Sequence, residues 1–216
     1  MAEKEADILG RVKEAREKCK KRKFQQTWDL AINLKGLDLK KPESRINSEL
    51  QLPEGRGKDV KVAIFADSIH AKAGEAADLV IRKEEIDGLS KDPKKLKRVI
   101  DENEWFFGEM NLMPQIGKTL GQVMGPRGKV PKPLPPNANL KAFVEGAKKT
   151  VKIRVTTTPV LHIPVGTDKM TDEQVVNNIN SLINFVKEKL PKGKNNIKTA
   201  YIKLTMGPAI KLPLKL

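Results

Sequence analysis

Cysteine occurs once in this 216-residue chain, at Cys19, and histidine only twice, at His70 and His162. A lone thiol closes no internal disulfide, which favours a reducing compartment, and two histidines are too few for a zinc site built from histidine and cysteine. Long apolar runs are also missing. The longest, such as residues 62–66, have the length of a strand and cannot span a bilayer. The chain is charged from Glu3 onward and shows no apolar leader stretch, so a cytoplasmic protein without membrane partners is expected. No HExxH, no CxxC and no recognisable Ser/His/Asp arrangement is found, so neither a catalytic site, a metal nor a cofactor is expected.

Positive charge, by contrast, is abundant. Lys and Arg number 42 against 27 Asp and Glu, a formal net charge of +15. Such an excess suits a polyanionic partner, because each phosphate neutralised releases counterions and favours binding whatever the base sequence. The hydrophobic fraction of 38% is enough for one large core or two small ones.

Periodicity changes along the chain. Residues 6–23 read as a basic amphipathic helix with Ile8, Val12 and Ala15 on one side, and residues 27–34 alternate as a strand with Trp28, Leu30 and Ile32 facing one way. A second strand, 46–52, ends in Pro53, Gly55 and Gly57. From there the pattern becomes α/β: strands at 60–65, 78–81 and 105–107, and helices at 71–77, 93–100, 115–123 and 137–148, the last behind a proline-rich loop. Strands return at 151–156 and 160–165. A helix follows whose capping box is Thr171 and Gln174, and strands at 199–205 and 209–212 flank a Met-Gly-Pro turn. These signals predict an α+β domain made from both termini, residues 1–56 and 151–216, with an inserted α/β domain, residues 57–150, of the Rossmann-like three-layer kind. Charge divides the same way: residues 57–150 hold 17 Lys and Arg against 13 acids, and the flanks 25 against 14.

Several short segments bear on chemistry. Thr205-Met206-Gly207-Pro208 places a hydroxyl, a thioether and an unshielded backbone together, a surface suited to ribose and base, although the same letters also describe an ordinary hairpin turn. Phe24, after the basic run 20–23, would either stack on an unpaired base or plug a core. His162, on a strand, is either a partly buried, hydrogen-bonded histidine or a donor to phosphate or ribose. Gly125-Pro126-Arg127-Gly128-Lys129 resembles a phosphate loop but has only two residues between its glycines and no Ser or Thr after the lysine. With no GxGxxG after any strand, the alternative of a nucleotide-using enzyme on the middle domain loses its fingerprint. Residues 110–144 nevertheless contain no acid, so Arg127, Lys129 and Lys132 form a second candidate RNA-contact surface.

Taken in order, Lys23-Phe24, Leu52-Pro53-Glu54-Gly55, Gly125-Pro126-Arg127-Gly128, His162-Ile163-Pro164-Val165-Gly166 and Thr205-Met206-Gly207-Pro208 resemble the large-subunit ribosomal protein L-one family in its archaeal form. The resemblance covers nearly the whole chain. It implies a monomeric, non-enzymatic protein that binds large-subunit ribosomal RNA through the terminal-derived domain. It further implies a mobile stalk assisting the exit of deacylated transfer RNA, and repression of translation through binding the protein's own messenger RNA. Its RNA-binding residues would be Lys23, Phe24, Thr27, His162, Thr205, Met206, Gly207 and Pro208, with Asp29 and Asn33 on the outward face of the first strand.

Overall fold

A computed structural model describes residues 2–40, 45–67, 73–134 and 139–213. The chain is a mixed α/β protein whose contacts fall into two compact units, residues 1–58 with 149–216, and residues 59–148.

In the first unit, strands β1 (Thr27–Leu34), β8 (Val160–Thr167), β9 (Ile197–Leu204) and β10 (Ile210–Leu212) form an antiparallel sheet in the order β10-β9-β1-β8. Strand β2 (Ile46–Gln51) pairs separately with β7 (Thr150–Val155). The two-residue period of β1 buries Trp28, Leu30, Ile32 and Leu34 on one face and leaves the alternate residues half-exposed on the other. Helices α1 (Ala2–Glu17) and α7 (Asp172–Lys189) contribute to the same core. Ile8, Val12 and Ala15 line one stripe of α1, while Val175, Ile179, Leu182, Ile183 and Val186 line α7. The capping box of α7 forms as its sequence predicts: Gln174 N–H donates to the Thr171 hydroxyl and Thr171 N–H to the Gln174 side chain.

One buried polar residue staples this unit. Asn178, wholly inaccessible, donates through Nδ2 to the carbonyls of Gly55 and Val165, both at 2.8 Å, and accepts from Glu54 N–H at 3.1 Å. The loop 52–57 is thereby fixed to α7 and β8. Gly57, at φ +66°, must be glycine: a Cβ would lie 2.6 Å from Thr167 Oγ1 and 2.7 Å from Met170 Sδ.

The second unit is built on a parallel sheet of β3 (Val62–Phe65), β4 (Leu79–Ile81), β5 (Trp105–Glu109) and β6 (Lys132–Leu134), ordered β4-β3-β5-β6. Strands β3 and β5 are buried at every position, as continuous apolar strands covered on both faces must be. On one face lie α2 (Lys83–Lys91), α3 (Pro93–Glu102), α4 (Met113–Thr119) and α5 (Gly121–Met124), whose Ile86, Leu96, Ile100, Ile116 and Met124 meet Phe65 and Phe106. On the other, Ala73 and, from α6 (Leu140–Lys149), Val144 and Ala147 cover Ile64, Trp105 and Phe107. Asp92 caps α3 by accepting from Lys94 N–H and Lys95 N–H.

Four expectations change. The first helix stops at Glu17, so the basic run 18–23 is not helical. Helix α2 and strand β6 form where no element is expected from the sequence, the latter inside the proline-rich loop. The segment 115–123 divides into α4 and α5 at Leu120, after a short 3₁₀ turn at Met110–Leu112. Of the helices expected at 71–77 and 137–148, residues 71–72 and 137–138 lie outside the described residues; Ala73 accepts from Ala76 and Ala77 N–H, and the later helix begins at Leu140.

Candidate nucleic-acid interface

Strand β1 is the centre of its sheet, and both ends of the chain meet at its start. Thr205 N–H donates to the Thr27 carbonyl at 3.1 Å, and Thr27 N–H donates to Thr205 Oγ1 at 3.0 Å. The next residue is tied as well. Met206 N–H donates to Gln26 Oε1 at 3.1 Å, while Gln26, itself 4% exposed, donates its own N–H to Asp168 Oδ2. These bonds carry the turn 205–208 against residues 24–27 and leave Phe24 and Met206 projecting, 52% and 58% exposed. Both are among the large apolar side chains that the described residues leave exposed. The core-plug reading of Phe24 is thereby set aside.

Gly207 is closely packed from within. A Cβ there would sit 3.2 Å from Cys19 Sγ and 3.3 Å from Leu204 Cβ, tighter than ordinary packing. Cys19, half-buried, thus fills the space under the turn, and Gln26 Nε2 lies 3.5 Å from its sulfur. Beside the turn a pocket opens among Arg16, Lys20, Lys21, Arg22, Gln26 and Asp168. The second oxygen of Asp168, Oδ1, is buried there with no hydrogen-bond partner among the described residues. Arg16 braces the wall, bonding Asp172 Oδ1 at 2.7 Å and the carbonyls of Asp168 and Met170, 5.5 Å above the Trp28 ring.

From this edge the open face of the sheet runs on. Its cross-strand rows are Lys203, Asp29 and Pro164; Lys211, Tyr201, Ala31 and His162; and Thr199, Asn33 and Val160. His162 is exposed rather than partly buried. Asn33 Nδ2 donates to Thr199 Oγ1 at 2.8 Å. Burial raises the Asp29 carboxyl above its usual range, and the nearby Lys203 and His162 partly oppose that shift. Tyr201, Lys203, Lys211 and Thr199 share this face but escape sequence reading. The signal was available in the alternation of β9, where Thr199, Tyr201 and Lys203 occupy every second position.

Lys23, Phe24, Thr27, Asp29, Asn33, His162, Thr205, Met206, Gly207 and Pro208 therefore all belong to the first unit. Arg127, Lys129 and Lys132 belong to the second and are internally engaged. Arg127 pairs with Asp101 at 2.6 Å, Lys129 Nζ bonds the Ile100 and Asn103 carbonyls at the end of α3, and Lys132 lies 4.9 Å over the Trp105 ring. Gly128, at φ +64°, supplies the turn that brings Lys129 there. In the same unit Glu109, 8% exposed, accepts from Asp67 N–H at 2.9 Å at the carboxyl ends of β3 and β5. Among the described residues no His, Cys, Asp and Glu group is arranged to hold a metal, and no helix is long and apolar enough to cross a membrane.

Comparison with known proteins identifies the family. The family model described as "Ribosomal protein L1p/L10e family" matches residues 15–208. The chain belongs to this family. Curated L1p relatives named "Large ribosomal subunit protein uL1" include that of Methanocaldococcus jannaschii, 48% identical over 206 residues, covering 95% of this chain and 94% of the relative. The protein of Methanothermococcus thermolithotrophicus is 47% identical over 94% of this chain and 95% of its own length. That of Pyrococcus horikoshii is 44% identical over 95% and 94%. In this L1p chain the match includes both the residues around Phe24 and the turn at Met206.

Proposed function

We propose that this chain is a structural constituent of the large ribosomal subunit and that its first unit binds ribosomal RNA. The observation that carries the reading is the joining of two chain ends by hydrogen bonds so that Phe24 and Met206 both project beside an open, partly basic sheet face. Apolar and aromatic groups pack on bases and sugars, the hydroxyls of Thr27, Thr205 and Thr199 meet ribose, and Lys23, Lys203 and Lys211 supply attraction that weakens with salt. Recognition of this kind is led by shape, since the anchored turn is formed before RNA arrives. The same surface accounts for two finer roles: holding a mobile stalk that assists exit of deacylated transfer RNA, and repressing translation by binding the protein's own messenger RNA. Family membership weighs against a nucleotide-using enzyme.

Crosslinking the protein to RNA in cells and sequencing what is recovered tests the proposal. Reads should concentrate in one helix-and-loop region of large-subunit ribosomal RNA, with a lesser peak in the protein's own message. Recovery spread over cellular RNA in proportion to abundance would count against it.

A further inference from the structure

Within its own span helix α3 carries its charges in the reverse of the favourable order, offset at its start by the Asp92 cap and at its end by Lys129. Free N–H groups make a helix start positive and free carbonyls make its end negative, so acids suit the first turn and bases the last. Helix α7 follows that order, with Asp172 and Glu173 first and Lys187 and Lys189 last. Helix α3 reverses it: Lys94 and Lys95 occupy the first turn, which has no acid, and Asp101 and Glu102 the last, which has no base. Stability of the helix does not explain the placement.

Nor does pairing. Lys91, Lys94, Lys95, Lys97 and Arg98 are all exposed, and among the described residues none of these five side chains forms an ion pair or hydrogen bond. Leu96 and Ile100 face the core. At about 100° per residue Lys94 and Arg98 then point directly away from it, with Lys95 and Lys97 on either side. The four cations span about 6 Å of helix axis.

The charge of the whole unit is gathered there. Residues 59–148 hold 15 Lys and Arg against 13 Asp and Glu, and residues 91–98 contain five of those bases and one of the acids. The rest of the unit is therefore net negative by two. The bases of the segment 110–144 that looked most suited to phosphate, Arg127, Lys129 and Lys132, are bound to Asp101, to the end of α3 and over Trp105.

We propose that the outer face of α3 is a second RNA-contacting surface. On it Lys94, Lys95, Lys97 and Arg98 neutralise backbone phosphates without reading bases. The proposal takes RNA as the polyanion from the preceding reading, whereas its location rests on α3 alone.

The test replaces Lys94, Lys95, Lys97 and Arg98 together by Gln in the full chain and titrates a 20-base-pair RNA duplex of arbitrary sequence across a salt series. Each phosphate contact contributes about 0.7–0.9 to the slope of log affinity against log salt. The variant should lose about two to four units of slope and bind more than tenfold more weakly at low salt. Its melting temperature should hold or rise, because Gln keeps helix propensity while cations leave the positive helix end. Replacing Lys94, Lys95 and Lys97 by Arg should leave the slope intact. An unchanged slope in the Gln variant overturns the proposal, as does loss of binding to anionic lipid vesicles with duplex binding retained. Met206→Ala, titrated on large-subunit ribosomal RNA, separates the two readings. No effect there counts against the first-unit interface alone, and no slope change on the duplex counts against α3 alone.

Discussion

Met206→Ala and Phe24→Ala are the most direct probes of the first-unit interface, and the structure sets their size. Full burial of a methionine side chain is worth about 1.5–3 kcal/mol. Met206 is 58% exposed, so covering that exposed part on binding recovers about 1–1.7 kcal/mol, a factor of about five to twenty in Kd. Phe24, 52% exposed, gains a similar apolar term, and stacking on a base is worth about 1–3 kcal/mol, so its removal should weaken binding by about five- to a hundredfold. Both side chains project into solvent, so neither loss should change the unfolding free energy by more than about 0.5 kcal/mol. Neither is charged, so the salt slope should not move. The assay is fluorescence anisotropy with the ribosomal RNA fragment recovered by crosslinking, at fixed salt, with a thermal melt beside each titration. Losses under twofold from both variants, or a changed salt slope, would refute the reasoning.

Other positions yield separate expectations. Asn178→Leu removes three buried hydrogen bonds and strands two carbonyls and one N–H, so chemical unfolding should show a loss of about 3–6 kcal/mol with little change in slope against denaturant. Lys129→Met should destabilise the second unit by about 1–3 kcal/mol through the exposed end of α3, read by hydrogen exchange in residues 93–103, while first-unit RNA affinity stays within twofold. Asp29 is a carboxyl raised by burial, so the folded state holds its proton more tightly than the unfolded chain and stability falls as pH rises through that window. Asp29→Asn should therefore raise the unfolding midpoint at neutral pH and lose that advantage below about pH 4, where the unfolded carboxyl is also protonated. Gly207→Val should lower the melting temperature as well as RNA affinity, because the added methyls meet Cys19 and Leu204.

The elements that can be read from sequence are those whose local rules and tertiary roles coincide. Helix α7 has its capping box at Thr171 and Gln174 and an apolar stripe from Val175 to Val186, and β1 alternates without a break. Where the two diverge, reading fails. No glycine or proline marks the end of α1 after Glu17; the chain turns there so that Cys19 can seat beneath Gly207, a contact between residues far apart in sequence. Helix α2 is short, has Gly88 inside and Arg82 rather than a Ser, Thr, Asp or Asn at its start, and buries only Ile86 and Leu89, so few residues mark it. Strand β6 contains Pro133, which argues against a strand except at a sheet edge, and the edge is where it lies. In the interface, the motif letters mark Phe24 and the turn at 205–208, but the bonds from Gln26 and Thr27 that join them, and the neighbours Tyr201 and Lys211, depend on strand register. The glycine-proline-arginine-glycine-lysine run shows the converse: its Arg127 and Lys129 meet Asp101 and the last carbonyls of α3, contacts that no letter of the run announces.

Strand β1 has its hydrogen-bonding neighbours in β8 and β9, which begin at Val160 and Ile197. During synthesis the first strand must therefore wait, unpaired on both edges, until most of the polypeptide has emerged, whereas the strands of the second unit find theirs within residues 59–148. The order of assembly inverts the order of translation: the inserted segment can complete its sheet while the earlier residues have no sheet to join. A product cut short before Thr205 has Phe24 but lacks the hydrogen bonds from Thr205 and Met206 that tie the turn to Gln26 and Thr27.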